Sequence, residues 1–530
     1  LLVIKKVNSQ KYTIAPAGGL RDEVLKKLVW DHAKHQSGYL FTDAYRSGRW
    51  NGKVQVYRPT NIRAGYIQET IDYLDNNGVE WQWEGNVVPE NTPVEMSEPE
   101  FTYEEFYKFC TNLIEAVKPS FAKKHNIDLE VRDYQIEAAW KFLTCRIGIA
   151  LHATSAGKSL TIAFILGFLF YKNIIKKAVI LVPLQSLVTQ FYGDLMDFGF
   201  KKRFVGKLYS GVKQTNRPIT VAINPSTHNM IGTVAETEFF DRVDLVICDE
   251  VHKASAKTVT ESVLRFHNAQ YFFGCTGTLP EDPLDKEIVH SLFGNVLDKR
   301  KLKELREEYN AVSNVKVGIL NFCYGMKGLM SRAKSRESTM DWQEEVHFLQ
   351  NDFDFRNPYI INTLINNFKR GKKIVALVKN IEYGLKMYHQ IEENIDRKSR
   401  KVVYWIDGSM KLADRDAIIK KCKNSKSPYI IVTNFQIFST GVNIQNINMV
   451  AMVDAGKSKI TVAQTIGRGV RKAKNKSEVL VLDCSCDLKY GNRHGRKRKK
   501  LYAEEGFTVM EKVVYRDEDA KLKEKFDALR

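Results

Sequence analysis

The sequence predicts an α/β protein, with two parallel-sheet domains in tandem preceded by a small α+β domain. Three observations carry this. From about residue 121 onward, short apolar runs alternate with longer helical stretches, the pattern of parallel strands covered on both faces by helices. The alternation fades over 301–345 and then resumes, which fits two such domains better than one large sheet. An acidic, proline-bearing stretch poor in core residues, PENTPVEMSEPE at 89–100, sets an N-terminal part off from the rest.

Taken in order, residues 1–88 form the small α+β domain. It mixes β-like stretches such as Val54-Gln55-Val56-Tyr57 with a helical-looking segment over 23–35. Residues 89–120 are a linker and a helix, the helix running over 101–117 and ending at Lys118-Pro119. Residues 121–300 make the first α/β domain, with strand runs at 147–151, 178–183 and 243–248 and an apolar helix over 160–170. Residues 301–345 form a variable junction, charged and irregular over 301–309 and 326–336. Residues 346–490 are the second α/β domain, with strand runs at 374–378, 402–405, 429–433, 449–453 and 479–482. Residues 491–530 are a basic C-terminal extension, with a basic loop GNRHGRKRKK at 491–500 and a charged helical tail over 517–530.

The chain has 530 residues, enough for three or four domains at about 100–200 residues each. Its 81 basic residues against 62 acidic ones give a net charge of +19, an excess that favours polyanions, nucleic acid first among them. No apolar run approaches the ~20 residues that span a bilayer, so no membrane partner is expected. No signal peptide opens the sequence. The 8 cysteines are scattered without a zinc-type CxxC pair, which reads as reduced, intracellular thiols and places the protein in the cytoplasm.

Two motifs describe a phosphate site. Ala-Thr-Ser-Ala-Gly-Lys-Ser at 153–159 follows one strand run and opens an apolar helix. The backbone N–H groups of Thr154, Ser155, Ala156 and Gly157 would cradle anionic oxygens, Gly157 allowing close approach. Lys158 would place its ammonium on the β/γ-phosphates, and Ser159 its hydroxyl on Mg²⁺. His152 stands where the GxxxxGK[ST] pattern has its first glycine and reads as a loop filler rather than a catalytic group. Asp249 and Glu250 follow a second strand run, at the strand end where α/β sheets bind ligands. Asp249 would hold the Mg²⁺, and Glu250 would orient and deprotonate the attacking water.

Positive charge for the transition state would come from Gln464-Thr465-Ile466-Gly467-Arg468-Gly469-Val470-Arg471. Arg468 and Arg471 are three apart and share a helix face, with Gln464 beside them. The alternative is a solvated basic face continuing through Lys472, Lys474 and Lys476. If both arginines reach the nucleotide from the second domain, hydrolysis is tied to domain closure, and chemistry becomes movement.

In this order the motifs resemble helicase superfamily 2, over about 125–485. Arg132-Asp133-Tyr134-Gln135 is similar to the adenine-recognition element, which implies Gln135 on the base edge with Arg132 or Tyr134 packed nearby. Residues 153–159 resemble motif I, 182–187 motif Ia, and Asp249-Glu250-Val251-His252 motif II in its DEVH form. Thr276-Gly277-Thr278 resembles motif III, which with His252 would couple hydrolysis to nucleic-acid binding. Residues 438–443 resemble motif V and 464–471 motif VI. The resemblance implies two RecA-like domains, ATP and Mg²⁺ as cofactors, and a nucleic-acid path lined by Gln185, Ser186 and Thr440. Gly441 contributes its backbone N–H and counts with the nucleotide-binding residues. Asn224-Pro225-Ser226-Thr227 resembles a further strand-end contact.

The stretch FTDAYRSGRWNGKVQVYR at 41–58, taken with Ser-Ala-Gly-Lys-Ser and Phe-Ser-Thr-Gly, resembles phage recombination and repair helicases of the UvsW type. That implies a monomeric motor in the host cytoplasm acting on branched or double-stranded DNA, with single strands and R-loops as further substrates. Its activities would be fork regression, junction branch migration and R-loop unwinding. Arg46, Arg49 and Lys53 surround Trp50 in a glycine-flexed turn, suited to stacking and phosphate neutralisation or, equally, to a hairpin with a core tryptophan. The 491–500 segment reads as a duplex-phosphate contact or as a solvated loop. An RNA helicase and a nucleotide-gated clamp without sustained turnover are the alternatives. The complete set Lys158, Asp249, Glu250, Arg468 and Arg471 argues against the clamp.

Overall fold

The computed structural model describes residues 1–16, 18–89, 92, 94, 99–125, 128–324, 340–441, 444–470 and 476–515. The chain divides into two compact units, residues 1–152 with 157–300, and residues 153–156 with 301–530. It is α/β: each unit is built on a large, mainly parallel sheet, and a small α+β fold opens the first.

The opening fold carries β1 (Leu2–Asn8), β2 (Lys11–Ala15), β3 (Ala33–His35), β4 (Lys53–Gln55), β5 (Ile62–Arg63) and β6 (Trp81–Trp83). Four strands run in the order β5-β2-β1-β6, and β3 pairs with β4 separately. Alternation sets the buried face: Leu2 and Ile4 on β1, and Tyr12 and Ile14 on β2, point inward while their neighbours are more exposed. This small core does not stand alone. It is continuous with the apolar layer on one face of the large sheet, through residues such as Ile147, Phe272, Val289 and Leu292.

The large sheet of the first unit consists of β7 (Ile147–His152), β8 (Ala178–Val182), β9 (Val205–Tyr209), β10 (Val212–Lys213), β11 (Ile219–Ile223), β12 (Leu245–Asp249), β13 (Tyr271–Thr276) and β14 (Val296–Arg300). Its order is β10-β9-β11-β8-β12-β13-β7-β14, parallel except for the β9–β10 hairpin. Burial on both faces explains the unbroken apolar run of β8, all five of whose residues are buried. The layer on the other face draws on the helices Tyr103–His125, Asp133–Cys145, Lys158–Tyr171 and Gln185–Asp197.

The first of these helices does not stop at Lys118-Pro119 but continues to His125 with Pro119 inside it. An interior proline costs a hydrogen bond and about 3 kcal/mol. Packing beyond it offsets that loss. Phe121 stacks on Phe198 with ring centres 6.4 Å apart, and His125 Nε2 meets Asp197 Oδ2 at 2.7 Å.

The second unit's sheet comprises β15 (Asn314–Cys323), β16 (Lys373–Val378), β17 (Val403–Ile406), β18 (Tyr429–Asn434), β19 (Met449–Met452), β20 (Glu478–Cys486) and β21 (Thr508–Tyr515). The order is β17-β18-β16-β19-β20-β15-β21, parallel throughout. β15 thus comes from the stretch read as a junction, and β21 from the stretch read as an extension. Residues 326–336 and 517–530 lie outside the described residues.

The basic loop at 491–500 is instead part of a helix, Lys489–Glu504. Its charge-rich sequence hides an inward stripe, His494, Arg498, Leu501 and Tyr502, at the i, i+4, i+7, i+8 spacing of one helix face. Arg498 grips Asp483 of β20 through Nε (2.8 Å) and Nη2 (2.7 Å), and the Tyr502 hydroxyl donates to the same carboxylate at 2.6 Å.

His494 lies 4.5 Å from the Trp342 ring, centre to centre. Burial, together with Lys379, Arg498, Lys457 and Arg493 around it, pushes its pKa down to about 4. The unfolded chain holds this imidazole near pKa 6.5, so the neutral side chain's contribution is complete above that pH and is lost as the pH falls toward 4. The second unit should therefore lose on the order of 2 kcal/mol more than a His494→Gln variant between pH 7 and 4.5. Paired thermal melts across that range measure the difference.

Candidate nucleotide site and nucleic-acid interface

Strand order brings the first unit's candidate residues to one edge of the sheet. β13 lies between β7 and β12, with Thr276 opposite Leu151 and Asp249 opposite Cys275. The loop after β7, the carboxylates at the end of β12 and the threonines at the end of β13 all lie at the same, C-terminal, ends of parallel strands.

The 153–159 loop is curled by two left-handed residues, Ser155 (φ 75°) and Gly157 (φ 80°). A Cβ on Gly157 would lie 2.0 Å from Gln135 Nε2 and so would displace that side chain, and the left-handed φ itself favours glycine here. Lys158 begins the helix Lys158–Tyr171 with Ser159 in its first turn, and Lys158 Nζ donates to the His152 carbonyl at 3.1 Å. Thr154, Ser155 and Ala156 precede it in the same turn, where the Ala156 N–H donates to the Ala153 carbonyl at 3.2 Å.

His152 is not a loop filler. It is the last residue of β7, fully buried, with Nε2 2.7 Å from Asp298 Oδ2 on β14. Burial lowers the imidazole's pKa and outweighs Asp298. For Asp298 burial acts upward, and the hydrogen bonds from His152, Arg300 and Lys141 outweigh it, holding the carboxylate well below its usual range. The charge network thus braces the strand from which the loop departs. Sequence spacing held no sign of it, because the partners are 146 residues apart.

Asp249 ends β12 and is buried. Glu250 follows it in the left-handed region (φ 53°), which turns the chain sharply out of the strand. His252 Nδ1 lies 3.3 Å from Glu250 Oε2 and 2.9 Å from Thr276 Oγ1, and that hydroxyl donates to the Thr278 carbonyl at 2.9 Å. The DEVH carboxylate and the Thr-Gly-Thr turn are therefore linked by one histidine, whose pKa is lowered chiefly by burial.

Gln135 and Tyr134 lie on the helix Asp133–Cys145 behind the loop. Gln135 is buried: its Oε1 accepts from the Arg132 N–H at 3.0 Å, and its Nε2 reaches the Gly157 carbonyl at 3.5 Å. Tyr134 is fully buried, edge-on to the His152 ring at 6.0 Å. Of this trio only Arg132 is not in the core. Gln185 and Ser186 open the helix Gln185–Asp197 after β8, and Asn224 to Thr227 lie in the short helix Asn224–His228 after β11.

In the second unit, Gln464 and Arg468 lie on the helix Lys459–Gly469, Arg468 buried. Arg471 lies outside the described residues, as do the side chains of Thr440 and Gly441 in the helix Phe435–Gly441.

The Arg46–Lys53 turn is only partly a core hairpin. The Trp50 indole N–H donates to the Lys53 carbonyl at 2.9 Å with the ring half-buried, while Arg46 and Arg49 are exposed. Lys53 Nζ sits 4.1 Å from the centre of the Trp30 ring, which is 67% exposed, and Phe41 nearby in sequence is 76% exposed. Sequence reading missed Trp30 because it lies in the helical segment 23–35, where a tryptophan is normally assigned to the core. The available signal was Leu28, which takes the inward face of that short helix.

Comparison with known proteins fits this arrangement. Residues 128–281 match the family described as type III restriction enzyme, res subunit, and residues 357–473 match the helicase conserved C-terminal domain, together just over half of the chain. The chain belongs to helicase superfamily 2. It is 24% identical over 497 residues to the ATP-dependent DNA helicase uvsW of Enterobacteria phage T4, covering 90% of this chain and 93% of that one. It is 23% identical to the DNA 3'-5' translocase XPB2 of Sulfurisphaera tokodaii, over 67% of this chain and 81% of that protein. In fold, this superfamily 2 chain is similar to a fragment of a putative HsdR subunit of a type I restriction enzyme from Vibrio vulnificus. There the TM-score is 0.56 at 16% identity, over 86% of this chain and 85% of the other.

Proposed function

We propose that this ATP-dependent DNA helicase remodels branched DNA, using the exposed face of its N-terminal fold to hold the branch. Likeness to the phage helicase over 90% of the chain supports this, since it extends beyond the span of the motor motifs. The observation that carries it is the Trp30–Lys53 pair, an exposed ring capped by a cation, with Arg46, Arg49 and Phe41 exposed on the same short stretch. Rings that stack on bases and cations that meet phosphates bind a single strand or a junction without reading sequence.

The loop fits a triphosphate. Its two left-handed residues give the curled backbone that gathers N–H groups on an anion, ahead of a long helix. ATP would be held by residues 154–159, Mg²⁺ by Ser159 and Asp249, and the attacking water by Glu250. Arg468 and Arg471 would supply charge to the transition state. Gln185, Ser186 and Thr440 would contact the nucleic-acid backbone, and Arg132 would lie nearest the base. Burial favours Gln135 as a brace for Gly157 and Tyr134 as packing.

A four-way junction, a forked duplex, an R-loop and an RNA duplex, offered under one condition with ATP, test the proposal. ATP-dependent processing of the DNA branches supports it, and processing of the RNA duplex alone overturns it. Trp30→Ala should weaken junction binding about tenfold, since stacking is worth about 1–3 kcal/mol per base. Fluorescence anisotropy with a labelled junction measures the change.

A further inference from the structure

Within the first unit, where the small N-terminal fold packs on the large sheet's helical layer, four titratable side chains converge away from the nucleotide motifs. His32 follows the helix Lys26–Asp31, and Glu69 lies in the helix Ile67–Asn76. Glu287 and His290 are one turn apart on the helix Pro283–Phe293. The packing here is close. Arg63 Nη1 donates to Ser291 Oγ at 2.9 Å, and a Cβ on Gly65 would lie 2.0 Å from the His290 carbonyl oxygen.

His32 Nε2 is 3.1 Å from Glu69 Oε1, and His290 Nε2 is 3.5 Å from Glu69 Oε2. His32, Glu69 and His290 can each offer one donor atom within 4.8 Å of the other two. Tetrahedral zinc with bonds of about 2.0–2.2 Å sets neighbouring donors about 3.3–3.6 Å apart. Each histidine's contact with a Glu69 oxygen is near that spacing, and the set of one donor per side chain would tighten from within 4.8 Å. Glu69 Oε2 and His290 Nε2 are both buried and, among the described residues, have no hydrogen-bond partner, although they face each other.

Glu287 is committed elsewhere. Its Oε1 takes His32 Nδ1 at 2.6 Å and the Tyr66 hydroxyl at 2.6 Å, and its Oε2 faces Lys34 Nζ at 3.5 Å. It therefore backs His32, fixing the ring so that Nε2 is turned toward Glu69. A histidine held by a carboxylate on its far nitrogen is the usual arrangement around a bound metal. Two imidazoles and one carboxylate are a donor set that zinc favours, with a fourth position left for water.

We propose that His32, Glu69 and His290 form a zinc-class metal site that pins the N-terminal fold to the first motor sheet. The competing arrangement is a protonated His32 bridging Glu69 and Glu287. Metal binding would displace the proton from His32 Nε2 into solvent.

The full chain, stripped with a chelator and free of nucleotide, is titrated with Co²⁺ and then Zn²⁺. One equivalent of Co²⁺ should bind with the intense visible absorption of a four-coordinate ion and be displaced by Zn²⁺, and Zn²⁺ should raise the melting temperature. His290→Gln and Glu69→Gln should each lower Co²⁺ affinity about 100-fold, and Glu287→Gln about tenfold. Circular dichroism establishes that each variant is folded. Absence of saturable binding to the folded chain overturns the proposal, as does an affinity that His290→Gln and Glu69→Gln leave unchanged.

Discussion

Glu250→Gln should reduce ATP turnover by about 10²–10⁴-fold while leaving ATP binding nearly unchanged. The substitution keeps the shape of the side chain and removes the carboxylate proposed as the base. Glu250 sits immediately after β12 in the left-handed region, a conformation set by the turn out of the strand, so the amide should occupy the same place. His252 bridges Glu250 to Thr276, so the variant should also weaken whatever coupling passes along that link. Single-turnover hydrolysis set beside equilibrium binding of a labelled nucleotide separates the two quantities. Parallel loss of affinity and turnover would make Glu250 a binding residue.

Arg498→Met should destabilise the second unit by roughly 3–5 kcal/mol. The arginine is 3% exposed and its partner Asp483 1% exposed, and between them they bury a bidentate ion pair. The guanidinium also donates through Nη1 to the carbonyls of Ala455 and Gly456, at 2.9 and 3.1 Å. Removing it leaves a carboxylate stranded in the interior with, among the described residues, only the Tyr502 hydroxyl to serve it. A second substitution, Asp483→Asn, removes that stranded charge and should restore part of the loss. Melting of the second unit in the single and double variants measures both effects, and equal melting of wild type and Arg498→Met would refute the assignment.

The strands that sequence reading located are those with continuous apolar runs, such as β8 and the first four residues of β12, where burial on both faces favours apolar residues on either side of the sheet. β15 and β21 were hidden for opposite reasons. β15 lies between charged stretches that dominate any window placed on it, and β21 is mostly exposed and carries a charged pair, Glu511-Lys512, in mid-strand. Motif positions were legible because they follow strand ends. The supports of the site were not. Asp298 and the Glu287–His32 contact join residues far apart in sequence, and the charge of helix Lys489–Glu504 concealed its buried stripe.

β15 begins the second sheet in sequence yet lies between β20 and β21, which are made more than 150 residues later. During synthesis its backbone edges must wait, unpaired, for nearly the whole of the second unit to emerge. Such long-range pairing is slow to form and leaves a template open to wrong partners. The strand carries Lys316 among its apolar residues, a charge on an edge that stays open for so long. Released chains truncated before residue 508 should therefore be the most prone to aggregate, and those that extend beyond 515 the first able to close the sheet.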